Sequence, residues 1–196
     1  MRIVLASKST ARAQILKNAG VEVTLKSAGV DEAPIKTDAL ARGESPRRVA
    51  EILAEAKAIA ASKGSLDLTI GADQTLECEG RLYDKADDLP QARARLIQLR
   101  GRTHQLHAAT ALAQDGHLIW RDVQSVRLTM RAFSDAFLDA YLSRNAEIAT
   151  SCVGGYAFEG EGVQLFSAVA GDYFAVLGLP ILPLLAELRR LEAIAV

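Results

Sequence analysis

A group of side chains that suit phosphate binding stands near the start of the chain, in LASKSTAR at residues 5–12. An apolar run ends at Ser7, and Ser9 and Arg12 follow where the pattern predicts that a helix begins. Hydroxyl groups, a guanidinium and the free N–H groups of a helix N-terminus can all donate hydrogen bonds to phosphate oxygens. On its own the stretch favours an ordinary helix cap, because Ser and Thr are preferred there.

A carboxylate follows a second apolar run. The segment LTIGA, residues 68–72, predicts a short buried strand that ends at Asp73, with Gln74 next. Ligands of α/β proteins gather at the C-terminal ends of strands, where a carboxylate can hold a divalent cation or orient a water. A plain turn residue at the end of a strand is the alternative.

Three further charged residues are candidates for the same site. Glu32 lies in residues 28–44, which show no apolar periodicity and are predicted to form a loop. Lys57 lies on the clearest predicted helix, and Lys85 follows a predicted hairpin. The alternatives are an exposed helix lysine at Lys57 and a surface ion pair of Lys85 with Asp84.

A glycine-rich stretch, GGYAFEGEG at residues 154–162, places Tyr156 and Glu159 in a predicted loop. Glycine permits close backbone approach to a ligand and a tyrosine ring can stack on a base, although a tight connecting loop is the alternative. Neither a P-loop, nor a dinucleotide fingerprint, nor a G-x-S-x-G elbow occurs. His104 and His107 are three apart on a predicted strand, so they point to opposite faces and do not form a metal pair.

The elements that must position these residues are predicted from periodicity, caps and turn residues. Strands are expected at 2–6, 21–27 and 68–72, and hairpins at 75–85, 103–130 and 163–178, the last turning at Gly171–Asp172. Helices are expected at 9–20, 45–64, 87–101, 134–144 and 180–194. This order predicts a single α/β domain over residues 1–196, with a mixed sheet and two lobes.

Composition narrows the class of protein. The chain is 49% hydrophobic and 24% charged, as globular proteins are, and its net charge of -1 argues against nucleic-acid or membrane-surface binding. No apolar stretch is long enough to span a bilayer. Cys78 and Cys152 lack the spacing of a zinc site or a disulfide framework, so we expect a cytoplasmic protein.

Taken together and in order, these segments resemble the Maf family of septum-formation-protein-like nucleoside triphosphate pyrophosphatases over nearly the whole chain. The matching segments are LASKSTAR, Asp31-Glu32, EAKA with Lys57, GADQ with Asp73, Lys85, RGRTHQLHAATAL, GGYAFEGEG and GDYFAVLGLP. The resemblance implies an α/β fold with a mixed twisted sheet, flanking helices and a deep cleft between two lobes, similar to inosine triphosphate pyrophosphatases. It also implies hydrolysis of a nucleoside triphosphate to the monophosphate and pyrophosphate with Mg²⁺ or Mn²⁺, cleansing of the nucleotide pool, and a homodimer.

The resemblance assigns roles by motif position. The triphosphate would be cradled by Ser7, Ser9 and Arg12. Asp73 would be the catalytic carboxylate and, with Glu32, would hold the metal, while Lys57 and Lys85 would neutralise charge on the phosphates. Further substrate contacts would come from Gln74, Tyr156 and Glu159.

Some positions depart from the family pattern and leave the accepted base open. Lys85 is followed by Ala86 where the family usually has proline. The GADQ segment and Glu159-Gly160 resemble the branch that acts on 7-methyl-GTP, whereas RGRTH resembles the pyrimidine branch that acts on dTTP or UTP. Two other functions are alternatives: a nucleotide-binding regulator of cell division or septum formation with little catalysis, and a phosphatase that releases orthophosphate first.

Overall fold

The computed structural model describes residues 2–195, so Met1 and Val196, the ends of the predicted domain, lie outside the described residues. The strands are β1 Ile3–Ala6, β2 Thr24–Leu25, β3 Leu68–Cys78, β4 Arg81–Tyr83, β5 Thr103–Gln114, β6 His117–Met130 and β7 Phe166–Ala170. The helices are α1 Thr10–Asn18, α2 Glu32–Ala41, α3 Pro46–Ser62, α4 Leu89–Leu99, α5 Asp135–Arg144, α6 Ala146–Ser151, α7 Tyr173–Val176 and α8 Ile181–Arg190, with a 3₁₀ helix at Glu161–Leu165.

The sheet is mixed. Within residues 2–195 it has seven strands in the order β2-β1-β3-β5-β6-β7, and β4 pairs with β3. β1 runs parallel to both neighbours, with Leu5 opposite Leu25 and Ile70, whereas β4 and β7 pair antiparallel to β3 and β6. The predicted α/β class with a mixed sheet and flanking helices is therefore confirmed.

The chain divides into two compact units. The first comprises the chain up to Gln74, the segment His107–Gln124 and the chain from Asp172 onward, and the second comprises Thr75–Leu106 and Ser125–Gly171. A division into two parts is what the prediction of two lobes requires.

Helix α3 packs unusually close to the sheet of the first unit. Its small-residue face, formed by Ala50, Ala54 and Ala58, packs against alanines 109, 111 and 113 of β5. A Cβ added at Gly71 of β3 would overlap the carbonyl oxygen of Ala54, so only glycine allows this approach. The close packing brings the middle of α3 within side-chain reach of β3, which fixes where Lys57 can act.

Capping and turn residues explain most of the correctly predicted elements. The Ser9 and Ser45 hydroxyls accept hydrogen bonds from the N–H groups of Arg12 and Arg48, so α1 and α3 begin where the caps predict. The hairpin turns at Glu79–Gly80 and Asp115–Gly116 adopt positive φ at both residues, as two-residue turns of this kind require.

Three predicted elements were wrong in type or extent. Residues 28–44 contain the helix α2, capped by Asp31, rather than the predicted loop. The prediction missed this helix because only Ala39 is buried, so the sequence shows no apolar stripe there. The predicted strand at 21–27 shortens to Thr24–Leu25, whose two residues pair with β1. The predicted hairpin at 163–178 has β7 as its first arm, but Asp172 caps the helix α7 where a second strand was expected.

Asp73 does not end its strand. β3 continues to Cys78, pairing with β1 over residues 68–71 and with β4 over residues 76–78. Asp73 and Gln74 lie in the segment between these two pairings. Asp73 was therefore wrongly predicted to end the strand, although it lies only two residues after Gly71, the last residue of β3 that pairs with β1.

Candidate active site

Lys57 joins two carboxylates from different elements of the first unit. Its Nζ lies 2.7 Å from Asp73 Oδ1 on β3 and 2.8 Å from Glu32 Oε1 at the start of α2. Lys57 and Asp73 are buried, whereas the Glu32 side chain is 48% exposed. Three of the residues predicted for catalysis are thus brought together, although they are up to 41 positions apart in sequence.

Burial controls the protonation of Asp73. It raises the pKa of Asp73 above its ordinary value because desolvation disfavours the carboxylate, while the positive charges of Lys57 and Arg12 lower it. With all four groups charged, Arg12 and Lys57 balance Asp73 and Glu32. The group of four side chains therefore has no net charge, and within it the Asp73 carboxylate, a proton acceptor, lies beside two cations.

Arg12 is held by backbone carbonyl groups of the first unit. Its Nε donates to Gly178 O at 2.8 Å, and its Nη1 donates to Ala72 O at 2.8 Å. Burial lowers the pKa of Arg12, and Asp73 and Glu32 raise it, yet a guanidinium stays charged at neutral pH. The side chain is fixed next to the carboxylates, and its Nη2 is not used in either of these two bonds.

Gln74 has a defined amide orientation. Its Nε2 donates to Ala175 O at 2.8 Å and to Val176 O at 3.1 Å. A flipped amide would set its oxygen against two carbonyl oxygens, so the NH₂ group must face them. The Oε1 atom is then the end of the amide that these carbonyls leave for another partner.

The two serines of LASKSTAR form a local hydrogen-bonded turn. The Ser7 hydroxyl accepts from Ser9 N at 3.1 Å and from Arg12 Nη1 at 3.4 Å, and the Ser9 hydroxyl accepts from Arg12 N at 3.4 Å. Both hydroxyl oxygens act as acceptors in these contacts, so their O–H groups can still donate. The helix-cap interpretation is confirmed for Ser9, and it is compatible with an anion near the same hydroxyls.

The donor set fits a hard divalent cation that also binds substrate. Magnesium is commonly held through one or two carboxylates, with phosphate oxygens and waters as the other ligands. Asp73 and Glu32 converge on one cationic atom, Lys57 Nζ, so they can both reach a single cation. Residues 2–195 contain no group of three or more His, Cys, Asp or Glu placed to hold a metal, so phosphate oxygens would have to complete the ligand set.

The remaining predicted residues belong to the second unit. Lys85 and Glu159 are exposed, and both act electrostatically on Cys152, whose pKa is raised chiefly by burial. Within this unit these two charges and the cysteine therefore form one neighbourhood. Their predicted roles toward substrate stay predictions.

Tyr156 is packed inside the second unit. Its hydroxyl lies 2.6 Å from Nε2 of the buried His104, and its ring meets Phe166 edge-on at 4.8 Å. A Cβ at Gly154 would overlap the Tyr156 ring, so this glycine serves the packing of the loop. The alternative of a tight connecting loop describes this stretch, and stacking of Tyr156 on a base stays a prediction.

A separate cavity of about 270 Å³ lies in the second unit. It is lined by Arg81, Tyr83, Gln91, Ala94, Arg95 and Gln98. None of the predicted site residues lines this cavity, and the two guanidinium groups already stack on the Tyr83 ring.

Sequence reasoning missed the residues that support the site. Gly71 permits the close approach of α3, and the carbonyls of Ala175, Val176 and Gly178 hold Arg12 and Gln74. The available signal was the segment GDYFAVLGLP, which matched the family pattern but suggested no role.

Among the described residues, no helix has the length and apolar character needed to cross a membrane.

Comparison with known proteins gives consistent matches. The family model described as Maf-like protein matches residues 2–191. The chain is 52% identical to a nucleoside triphosphate pyrophosphatase of Caulobacter vibrioides, over 99% of this chain and 98% of the relative. It is 46% identical to a 7-methyl-GTP pyrophosphatase of Brucella abortus, again over 99% and 98% of the two chains.

The chain is less similar to the solved structures than to the relatives found by sequence. A nucleoside triphosphatase (dITP/XTP pyrophosphatase) of Mycobacterium abscessus matches with a TM-score of 0.41 and 20% identity, over 68% of this chain and 74% of that chain. The family assignment rests on the sequence matches, which cover almost every described residue. They confirm the resemblance found from the motifs, and the chain belongs to the Maf-like protein family.

Proposed function

We propose that this protein hydrolyses a nucleoside triphosphate to the nucleoside monophosphate and pyrophosphate, with Asp73 as general base. The observation that carries the proposal is the convergence of Asp73 and Glu32 on Lys57, with Arg12 fixed beside them. Relatives at 44–52% identity that are named nucleoside triphosphate pyrophosphatase support the same reaction class.

The reaction needs a water, a base and charge stabilisation. A water attacks the α-phosphorus, the bond from that phosphorus to the α,β-bridging oxygen breaks, and pyrophosphate leaves with the electron pair. Asp73 accepts the proton of the water, as a buried carboxylate held 2.7 Å from Lys57 Nζ. The charges of Lys57 and Arg12 stabilise the negative charge that develops on the phosphates.

We propose that Asp73 and Glu32 hold the divalent cation that the family resemblance implies. When bound, such a cation neutralises phosphate charge and lowers the pKa of a nearby water. Ser7 and Ser9 would donate their hydroxyl protons to phosphate oxygens, and Gln74 would contact substrate through Oε1. Lys85, Tyr156 and Glu159 are proposed as further substrate contacts from the resemblance alone.

The test is a substrate panel with product identification. Purified protein is incubated with dTTP, UTP, CTP, ITP and 7-methyl-GTP, each with Mg²⁺, with Mn²⁺ or with excess EDTA, and products are read by ³¹P NMR. We expect monophosphate and pyrophosphate in equal amounts from at least one substrate, only when metal is present.

Isotope labelling identifies the attacked phosphorus. In water enriched in ¹⁸O, attack on the α-phosphorus puts the label in the monophosphate, whereas attack on the β-phosphorus puts it in pyrophosphate. Orthophosphate as the first product would favour the phosphatase alternative, and tight nucleotide binding without any product would favour the regulator.

The resemblance carries three further proposals. We propose that the chain acts as a single Maf-like domain, that it forms a homodimer, and that it removes unwanted nucleotides in the cytoplasm. Light scattering coupled to size-exclusion chromatography tests the dimer, for which a mass of twice 21.0 kDa is expected.

A further inference from the structure

Residues 175–178, the end of α7 and the start of the connection to α8, are called here the α7–α8 turn and form a helix end with a defined hydrogen-bond pattern. Gly178 N donates to Ala175 O at 3.1 Å, and Leu179 N donates to Phe174 O at 3.1 Å, with Gly178 at φ 88°. This is the helix-ending motif in which a residue with positive φ redirects the chain, and glycine is favoured at that position. The motif fixes the direction of the carbonyl groups in the last turn of α7.

These fixed carbonyls hold two of the predicted substrate-binding side chains. A carbonyl oxygen can accept two hydrogen bonds, so the last carbonyl groups of a helix keep acceptor capacity for donors outside the helix. Here Ala175 O and Val176 O accept from Gln74 Nε2, and Gly178 O accepts from Arg12 Nε at 2.8 Å. One short turn thus constrains side chains that come from α1 and from β3.

We propose that the α7–α8 turn positions Arg12 and Gln74 for substrate binding and that Gly178 is its positioning residue. This inference rests on the proposed function. A Cβ at Gly178 would lie at ordinary contact distances from its neighbours, 3.4 Å from Arg12 Nη2 and 3.6 Å from Gln74 Cδ, but the positive φ strains any other residue. Relief of that strain rotates the backbone that carries the Gly178 carbonyl, so a substitution there changes the setting of the groups that hold Arg12 and Gln74 without removing either side chain.

The chain offers a matched control in α1, which ends with the same motif. Gly20 has φ 73°, Gly20 N donates to Lys17 O and Val21 N donates to Leu16 O, but no atom lies within 4 Å of its added Cβ. The variants Gly178→Ala and Gly20→Ala therefore share the backbone strain, and only the first places that strain beside carbonyl groups that hold Arg12 and Gln74.

The experiment measures stability and kinetics of both variants. We expect similar downward shifts of the urea midpoint, together with a loss of about tenfold or more in kcat/KM for Gly178→Ala, chiefly through KM, because misplaced contacts weaken substrate binding. Gly20→Ala should keep kcat/KM within about twofold of wild type. Equal kcat/KM in the two variants would overturn the inference.

A second set of three variants applies if Gly178→Ala does not fold. The Asp172 carboxylate caps α7 by accepting from Ala175 N at 2.8 Å. Asp172→Ala removes the cap and should raise KM, whereas Asp172→Asn retains a capping group and should not. Asp88→Ala serves as the stability control, because it removes from α4 of the second unit a capping hydrogen bond of the same distance, 2.8 Å from Gln91 N to the Asp88 carboxylate. A rise in KM with Asp88→Ala equal to that with Asp172→Ala would overturn the inference.

A binding readout separates this inference from the proposed function. Calorimetry with a nucleoside triphosphate analogue that carries a methylene group in place of the α,β-bridging oxygen reports affinity without hydrolysis. If wild type binds the analogue but releases no pyrophosphate from any triphosphate of the substrate panel, the proposed function fails, and weaker binding of the analogue by Gly178→Ala alone still supports the positioning role. Equal affinity of Gly178→Ala and Gly20→Ala for the analogue would overturn that role.

Discussion

His104 is a buried imidazole of the second unit whose titration makes the stability of the fold depend on pH. Its side chain is 1% exposed, and its Nδ1 has no hydrogen-bond partner in the described part of the chain. Burial lowers the pKa of His104 from 6.5 to about 4, because a charged imidazole would lose hydration without gaining a partner.

The folded and unfolded states bind different numbers of protons at His104 below pH 6.5. Between pH 6.5 and about 4 the unfolded chain binds a proton at His104 that the folded chain does not bind. The free energy of unfolding is therefore greatest above pH 6.5 and falls as the pH is lowered through this window. Each pH unit costs about 1.4 kcal/mol, so the loss attributable to His104 reaches about 2 kcal/mol at pH 5.

Urea unfolding at pH 7, 6 and 5, followed by circular dichroism, measures this loss. The variant His104→Gln keeps a polar group for Tyr156 but cannot take up a proton. We expect wild type to lose about 2 kcal/mol more than this variant between pH 7 and pH 5. His117→Gln, at an exposed histidine, is the matched control and should follow wild type.

Wild type and His104→Gln losing stability in parallel over this pH range would show that the buried imidazole is not the titrating group. Carboxylates whose pKa values are lowered by arginine partners, such as Asp135 and Glu161, titrate in both proteins and cancel in the comparison.

Three substitutions test the first unit. Arg12→Ala leaves two carbonyl groups without their donor, so we expect a loss of about 1–3 kcal/mol in unfolding free energy and a higher KM, and an unchanged KM would contradict the cradle. Gly71→Ala should push α3 from β3, separate Lys57 from Asp73 and lower kcat, and a wild-type kcat would contradict this geometry. Glu32→Gln should raise the metal concentration for half-maximal rate while leaving urea stability within about 0.5 kcal/mol, because its side chain is half exposed.

Elements with local signals could be predicted from the sequence, and elements without them could not. Ser9 and Ser45 mark helix starts through their own side chains, so α1 and α3 were predicted correctly. α2 buries only Ala39, so no apolar stripe revealed it. Asp73 was predicted to end a strand because the continuation of β3 depends on pairing with β4, a tertiary contact.

The side chains of the candidate site could be predicted from the sequence, but the backbone groups that hold them in place could not. The convergence of Glu32, Lys57 and Asp73 was anticipated through the family resemblance, since helix propensity alone favoured an exposed lysine at position 57. The carbonyl groups that hold Arg12 and Gln74 are backbone atoms, which every residue possesses. The residue types in the sequence therefore could not predict which carbonyl groups would bind these side chains.

The role of Asp73 as general base is tested by the rate of pyrophosphate release by Asp73→Asn, compared with wild type and with Asp38→Asn. Asp38 is an exposed residue of α2, so its variant makes the same chemical change away from the site. With far-UV circular dichroism confirming the fold, we expect Asp73→Asn to lose about a hundredfold or more in kcat and Asp38→Asn to match wild type. A folded Asp73→Asn protein that turns over at the wild-type rate would contradict the role of Asp73.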